Sequence, residues 1–191
     1  MVAANTLRTA RASRGWSQRQ LADAAGTRQP RIADVESGKH DAAVSTLETW
    51  LRALGHQTTL IPTRTRPVWE AAIAVRRALE ANNETLAIRE VIQLADDLAH
   101  ESAAIRVALS VTPPPPVGDS RFDALIAAVT DYRLASARAP RPEWLASAKY
   151  RLVDPWDVES VPALRADARK QTPASIRRHG IYLAESELAS V

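Results

Sequence analysis

The sequence predicts a mainly α-helical protein. It reads as an N-terminal set of short helices, one short strand, a helical middle region and a small, mostly helical C-terminal domain. Three observations predict this. Apolar residues recur at helical spacing through most of the 191 residues. Gly15, Gly26, Gly38 and Gly55 punctuate the first part of the chain at the ends of periodic segments, where a helix terminates. Only one stretch, His56–Pro62, is β-rich and short.

The elements follow in order. Residues 6–14 read as a first helix with Leu7 and Ala10 inward, stopped by Gly15. Ser17 and Gln20 form a capping-box pattern that opens a second helix, which carries Leu21, Ala22 and Ala25 to Gly26. A third helix starts at Thr27, with Pro30 in its first turn, where no intrahelical donor is needed. Its Ile32 and Val35 point inward and Gly38 ends it. Leu47, Trp50, Leu51 and Leu54 define a fourth helix over 45–54. Trp16 and Trp50 read as core. The strand at 56–62 has no partner in its own chain, so its economical partner is the same segment of a second copy, through Thr58 and Leu60.

Residues 67–111 read as two or three helices, with Ile88, Val91, Ile92, Ala95 and Leu98 as one stripe and Trp69, Ala72, Ile73 and Leu79 as another. Four consecutive prolines, Pro113–Pro116, exclude helix, so residues 112–120 are taken as a linker and the main domain boundary. The expected division is 1–66, 67–111, 112–120 and 121–191. In the last segment Phe122, Leu125, Ile126, Val129 and Tyr132 form an amphipathic helix. Residues 139–160 are irregular. Two short helices follow at 162–170 and 173–179, the second capped by Thr172 and stopped by Gly180.

Composition narrows the function classes. Apolar residues make up 46% and charged residues 25%, enough for a core without staples. There is no cysteine, which excludes disulfides, thiolate metal sites and cysteine nucleophiles. The N-terminus lacks an apolar leader and no run has the ~20 apolar residues of a membrane span, so a cytoplasmic protein without membrane contact is expected. Charge is uneven. Residues 1–66 hold ten Lys/Arg against five acids, a net of +5, which leaves −2 for the rest of a chain whose total is +3. A basic head of this kind suits a polyanion.

The ordered set Ser17-Gln18, Leu21-Ala22, Gly26, Gln29, Ile32, Glu36, Gly38 and Leu47 resembles the Xre family, the helix-turn-helix of lambdoid phage repressors and many antitoxins. The resemblance covers residues 6–55. It implies a five-helix-type helix-turn-helix domain that sets its third helix into the major groove of double-stranded DNA. The positions matching Gln29, Pro30 and Asp34 face base edges in that family, and Arg31 lies beside them. Gln29 can pair with adenine and Arg31 with guanine. Pro30 departs from the usual polar residue and offers only apolar contact. Asp34 can accept from a cytosine amine, repel wrong registers, or pair with Arg31. Gln18, Arg14, Arg19, Arg28 and Lys39 are the candidates for phosphate contact. Glu36 is implied to bond inside the domain.

No glycine-rich phosphate loop, nucleophile elbow or acid–base pair is present, so a non-enzymatic protein with no cofactor and no metal is expected. His40, His56, His100 and His179 are scattered, and Asp96, Asp97, His100 and Glu101 read as a solvated helix face. The remaining two-thirds leaves three readings open. In the first, residues 121–191 bind a cognate toxin, with Trp144, Tyr150, Trp156 and Tyr182 as interface aromatics; the head resembles antitoxin repressors, and the tail after Pro140 resembles tails of that type. In the second, this region holds a ligand pocket. In the third, it serves a prophage-type repressor as an oligomerisation domain. A homodimer on an inverted-repeat operator is expected, and under the first reading the bound toxin would alter the spacing of its two recognition helices or bridge neighbouring dimers.

Overall fold

Four helices build the first part of the computed structural model, which describes residues 2–188: α1 (Val2–Ser13), α2 (Gln18–Ala24), α3 (Gln29–Glu36) and α4 (Val44–Ala53). Helix α1 begins earlier than its composition suggests because Ala3, Leu7 and Ala10 share one face and are all buried. The expected capping box is present: Ser17 Oγ accepts from Gln20 N at 3.2 Å, and Gln20 Oε1 accepts from Ser17 N at 2.7 Å. After α2 the backbone turns through Gly26 at φ +63°, where nothing crowds the absent Cβ, so the requirement is conformational. The third helix starts later than expected, at Gln29 with Arg28 as its cap, which puts Pro30 in the second position.

Leu7, Leu21, Ile32, Val35, Trp50, Leu51 and Leu54 form the core of this unit, and Trp16 packs against it. Leu7, Leu21 and Ile32 are fully buried, each stabilising by ~1.5–3 kcal/mol. Among the described residues the unit holds four helices where the resemblance implies five. Beyond Gly55, residues 56–63 form neither strand nor helix within the chain, and residues 56–61 are all exposed. The strand expected at 56–62 is therefore not formed inside one chain, because no ladder partner is available to it. Compact packing breaks between Ile61 and Pro62.

The second unit contains α5 (Val68–Glu80), α6 (Glu84–Ala99), α7 (Ala103–Ser110), α8 (Ser120–Ser136), α9 (Pro162–Gln171) and α10 (Ala174–Arg177). A two-residue parallel pair joins β1 (Trp156–Asp157) to β2 (Ile181–Tyr182), with Trp156 opposite Ile181. The proline run does not separate two cores. Val75, Ala87, Leu94 and Leu98 from before it share one cluster with Phe122, Leu125, Ile126, Ile176 and Ile181 from after it. The boundary expected at 112–120 thus falls inside this unit.

Helix α8 is the reason. Sequence periodicity predicts one apolar face, but every residue from Ala124 to Asp131 is buried. Ala124, Ala127 and Ala128 are small enough for neighbours to approach on several sides. Its buried Thr130 is satisfied within the helix, where Oγ1 donates to Ile126 O at 2.8 Å. Thr172 caps nothing at α10. It follows α9, donates to Ala168 O at 2.8 Å and accepts from Leu183 N at 3.1 Å. Among the described residues no helix is long and apolar enough to cross a membrane.

Candidate nucleic-acid interface

The face of α3 left open by its packing begins with Arg28, Gln29, Pro30 and Arg31, all exposed, while Ile32, Val35 and Glu36 turn inward. The helical period produces this split, since positions 32, 35 and 36 fall on one side. An open groove runs between α2 and α3, walled by Gln18, Arg19 and Asp23 on one side and Arg28, Gln29 and Pro30 on the other.

A chain of polar contacts fixes the groove. Arg11 grips the Glu36 carboxylate through two parallel bonds, Nε to Oε1 at 2.7 Å and Nη2 to Oε2 at 2.8 Å. Arg11 Nη1 also donates to Trp16 O at 2.6 Å, and the Arg8 guanidinium donates to Glu36 O. Glu36 Oε2 accepts from Gln18 Nε2 at 3.0 Å, and Gln18 Oε1 accepts from Gln29 Nε2 at 2.8 Å. Glu36 is 2% exposed. Burial pushes its carboxyl up, but the hydrogen bonds from Arg11 and Gln18 and the charges of Arg11 and Arg8 outweigh this and hold it below the ordinary value. It stays ionised, and its charge orders Gln18, which in turn orders Gln29.

The other expected positions divide. Arg14 stacks on the Trp16 ring, with its guanidinium carbon 4.7 Å from the centroid. Arg19 and Arg28 are exposed beside the groove. Arg31 is exposed, with its guanidinium carbon 5.9 Å from the Trp50 centroid. Asp34 pairs with Lys39, at 3.6 Å, rather than with Arg31. Gln18 is engaged through its side chain in positioning Gln29. Beyond α4, Thr58 donates to Glu48 at 2.9 Å, and the Leu60 side chain is fully exposed.

The four aromatics expected at an interface pack within the second unit. Trp144 Nε1 donates to Ser110 O at 2.8 Å, and its ring meets Tyr150 edge-on at 5.1 Å. Tyr150 is buried, which leaves its ring no surface for a partner. Trp156 packs on Phe122 at 5.3 Å, and Arg169 lies over Tyr182 at 4.8 Å. Trp144, Trp156 and Tyr182 remain partly exposed. His100 faces the Asp96 carbonyl at 2.8 Å rather than its carboxylate.

Sequence reasoning named Glu36 but not Arg8 or Arg11, which hold it. Their signal is their place on one face of α1, and only the packing of α1 against α3 turns it into a contact. A helix-turn-helix family model matches residues 7–59, the segment that carries this groove. Residues 7–59 are therefore a helix-turn-helix domain, of the type found in DNA-binding transcriptional regulators. Neither the curated proteins nor the solved structures compared with the chain give a match.

Proposed function

We propose that the chain is a transcriptional repressor that reads an inverted-repeat operator as a homodimer, and that it acts as the antitoxin of a toxin–antitoxin pair that regulates its own operon. The observation that carries the DNA reading is the relay from Arg11 through Glu36 and Gln18 to Gln29. It holds an exposed amide at the start of α3 in a set orientation before any base arrives, which lowers the ordering cost of a bidentate adenine contact. Arg31 beside it supplies the guanine-reading group. Arg14, Arg19, Arg28 and Lys39 supply phosphate contacts.

Two further features support the finer reading. The exposed segment 56–61, with Leu60 wholly in solvent, has β-forming residues and no strand partner among the described residues of its chain. Pairing with its copy would set two recognition helices about 34 Å apart, one helical turn of DNA. The second unit has a core of its own and partly exposed aromatics at Trp144, Trp156 and Tyr182, the residue types that anchor a protein partner.

The test is operator selection from random duplexes followed by titration. Gln29→Ala should cost about 1–3 kcal/mol on the selected sequence and nothing on random DNA. An equal loss on both would remove Gln29 from base reading. Affinity should fall by nearly one log unit per log unit of salt for each phosphate neutralised. For the antitoxin role, the full chain should co-purify with the product of the adjacent reading frame and relieve its toxicity. A non-toxic neighbour that forms no complex would overturn that part alone.

A further inference from the structure

A cavity of about 290 Å³ opens in the second unit, with Asp131, Arg141, Glu143, Arg151, Arg178 and His179 in its wall. That size is at the small end of ligand pockets, ~300–1,000 Å³. Two ionisable side chains are buried at its base: Asp131 is 2% exposed and His179 3%. Asp131 Oδ1 accepts from Arg141 Nε, and its Oδ2 lies 3.3 Å from both Arg178 Nε and His179 Nε2. His179 Nδ1 lies 2.7 Å from the Tyr150 carbonyl, which can only accept, so that nitrogen carries a proton. Burial pushes the Asp131 carboxyl up, but hydrogen bonds from His179 and Arg141 and the charge of Arg178 hold it below its ordinary value, so it too only accepts. Both ring nitrogens thus lie against oxygen atoms of the cavity base.

The cavity wall therefore carries a surplus of positive charge. Three guanidiniums, of Arg141, Arg151 and Arg178, face two carboxylates, Asp131 and Glu143. Arg141 and Arg178 reach Asp131 through Nε, and their side chains are 42% and 47% exposed, so their terminal nitrogens keep donor capacity. The Arg151 side chain is exposed and makes no hydrogen bond or ion pair among the described residues. A structural ion pair around Asp131 requires one arginine, and this cluster has two, a histidine and a third arginine at the rim.

We propose that this cavity binds a small phosphomonoester, its phosphoryl group held by Arg141, Arg151 and Arg178 and its organic body in the remaining space. A tetrahedral phosphoryl anion matches both the positive surplus and the forked donors of clustered guanidiniums. The assignment uses residues of the second unit only and is independent of DNA reading.

Isothermal titration of the full chain with inorganic phosphate, at constant ionic strength, tests it. One saturable site with a Kd of about 1 mM or tighter is expected. Arg151→Gln should weaken it about tenfold, with an unchanged melting profile since the Arg151 side chain has no partner to lose among the described residues. Arg178→Gln should weaken it at least as much where its melt shows a folded protein. Arg28→Gln, in the DNA-reading head, should leave it unchanged. Absence of a saturable site, equal binding by Arg151→Gln and the parent chain, or loss on Arg28→Gln instead would each overturn the proposal.

Discussion

The residue that most determines the helix-turn-helix unit is one buried inside it. Glu36 is buried and accepts from Arg11 and Gln18, so one carboxylate couples the stability of α1 and α3 to the placement of Gln29. Removing its main partner leaves a charge uncompensated. Arg11→Met should destabilise the first unit by about 3–5 kcal/mol, read by denaturant melts. The pH dependence follows from the depressed carboxyl. A group with a lowered folded value contributes stability that is complete above its ordinary value and is lost as pH falls through the folded one. The first unit should therefore hold its melting temperature through neutral pH and lose it in acid, below the ordinary carboxylate range. Glu36→Gln should be less stable at neutral pH and show a flatter acid limb; an acid limb as steep as the parent's would assign that dependence to other groups.

At the scale of elements, two glycines in the same backbone region should respond differently to the same change. Gly26 follows α2 at φ +63° with open space where a methyl group would sit, so Gly26→Ala should cost only the left-handed penalty, ~1–2 kcal/mol. Gly180 precedes β2 at φ +74°, and a Cβ there would lie 2.9 Å from Leu152 O. Its own carbonyl accepts from Trp156 N at 2.9 Å, which ties it to β1. The backbone cannot retreat without breaking the β1–β2 pair, so Gly180→Ala should cost about 2–4 kcal/mol. Comparing the two variants' chemical denaturation midpoints checks this, and equal costs would mean that the Leu152 contact relaxes freely.

At the scale of the whole molecule, each of the two units has its own buried cluster, with the break between Ile61 and Pro62. The linker side of the second unit is anchored from within: Glu101 accepts from Arg64 N at 2.7 Å and from Thr65 Oγ1 at 3.1 Å, and Arg66 pairs with Glu90 at 2.7 Å. Expressed alone, residues 62–191 should fold and melt cooperatively with the midpoint of the corresponding transition in the full chain. A fragment that ends at residue 111 should not fold, because α5 and α6 would lose α8 from their shared core. A stable 62–111 fragment would restore the boundary at the proline run.

Much of the first unit was legible because its signals are local. Ser17 and Gln20 bond across three residues, Gly26 and Gly38 end helices by their own backbone freedom, and Ile32 and Val35 follow from period alone. The outward face of α3, with Gln29 and Arg31, is what remains once that period is read. The second unit was less legible because its signals are not local. Four prolines exclude helix, but they do not decide whether the segments on either side pack together. Periodicity marked Phe122, Leu125 and Ile126, yet the burial of Ala127, Ala128 and Asp131 depends on neighbours from distant parts of the chain.

By itself, then, the order of residues determined that the chain is helical, where its short helices stop, and that the N-terminal head carries the positive charge. These are outcomes of backbone preference and nearest neighbours along a helix. Only the tertiary structure decided that α8 is a central helix rather than the start of a separate domain, and that Asp131, Arg141, Arg178 and His179 meet. Those contacts join residues up to 48 positions apart, and such encounters leave no periodic mark in a sequence because they are selected by the packing of a whole core.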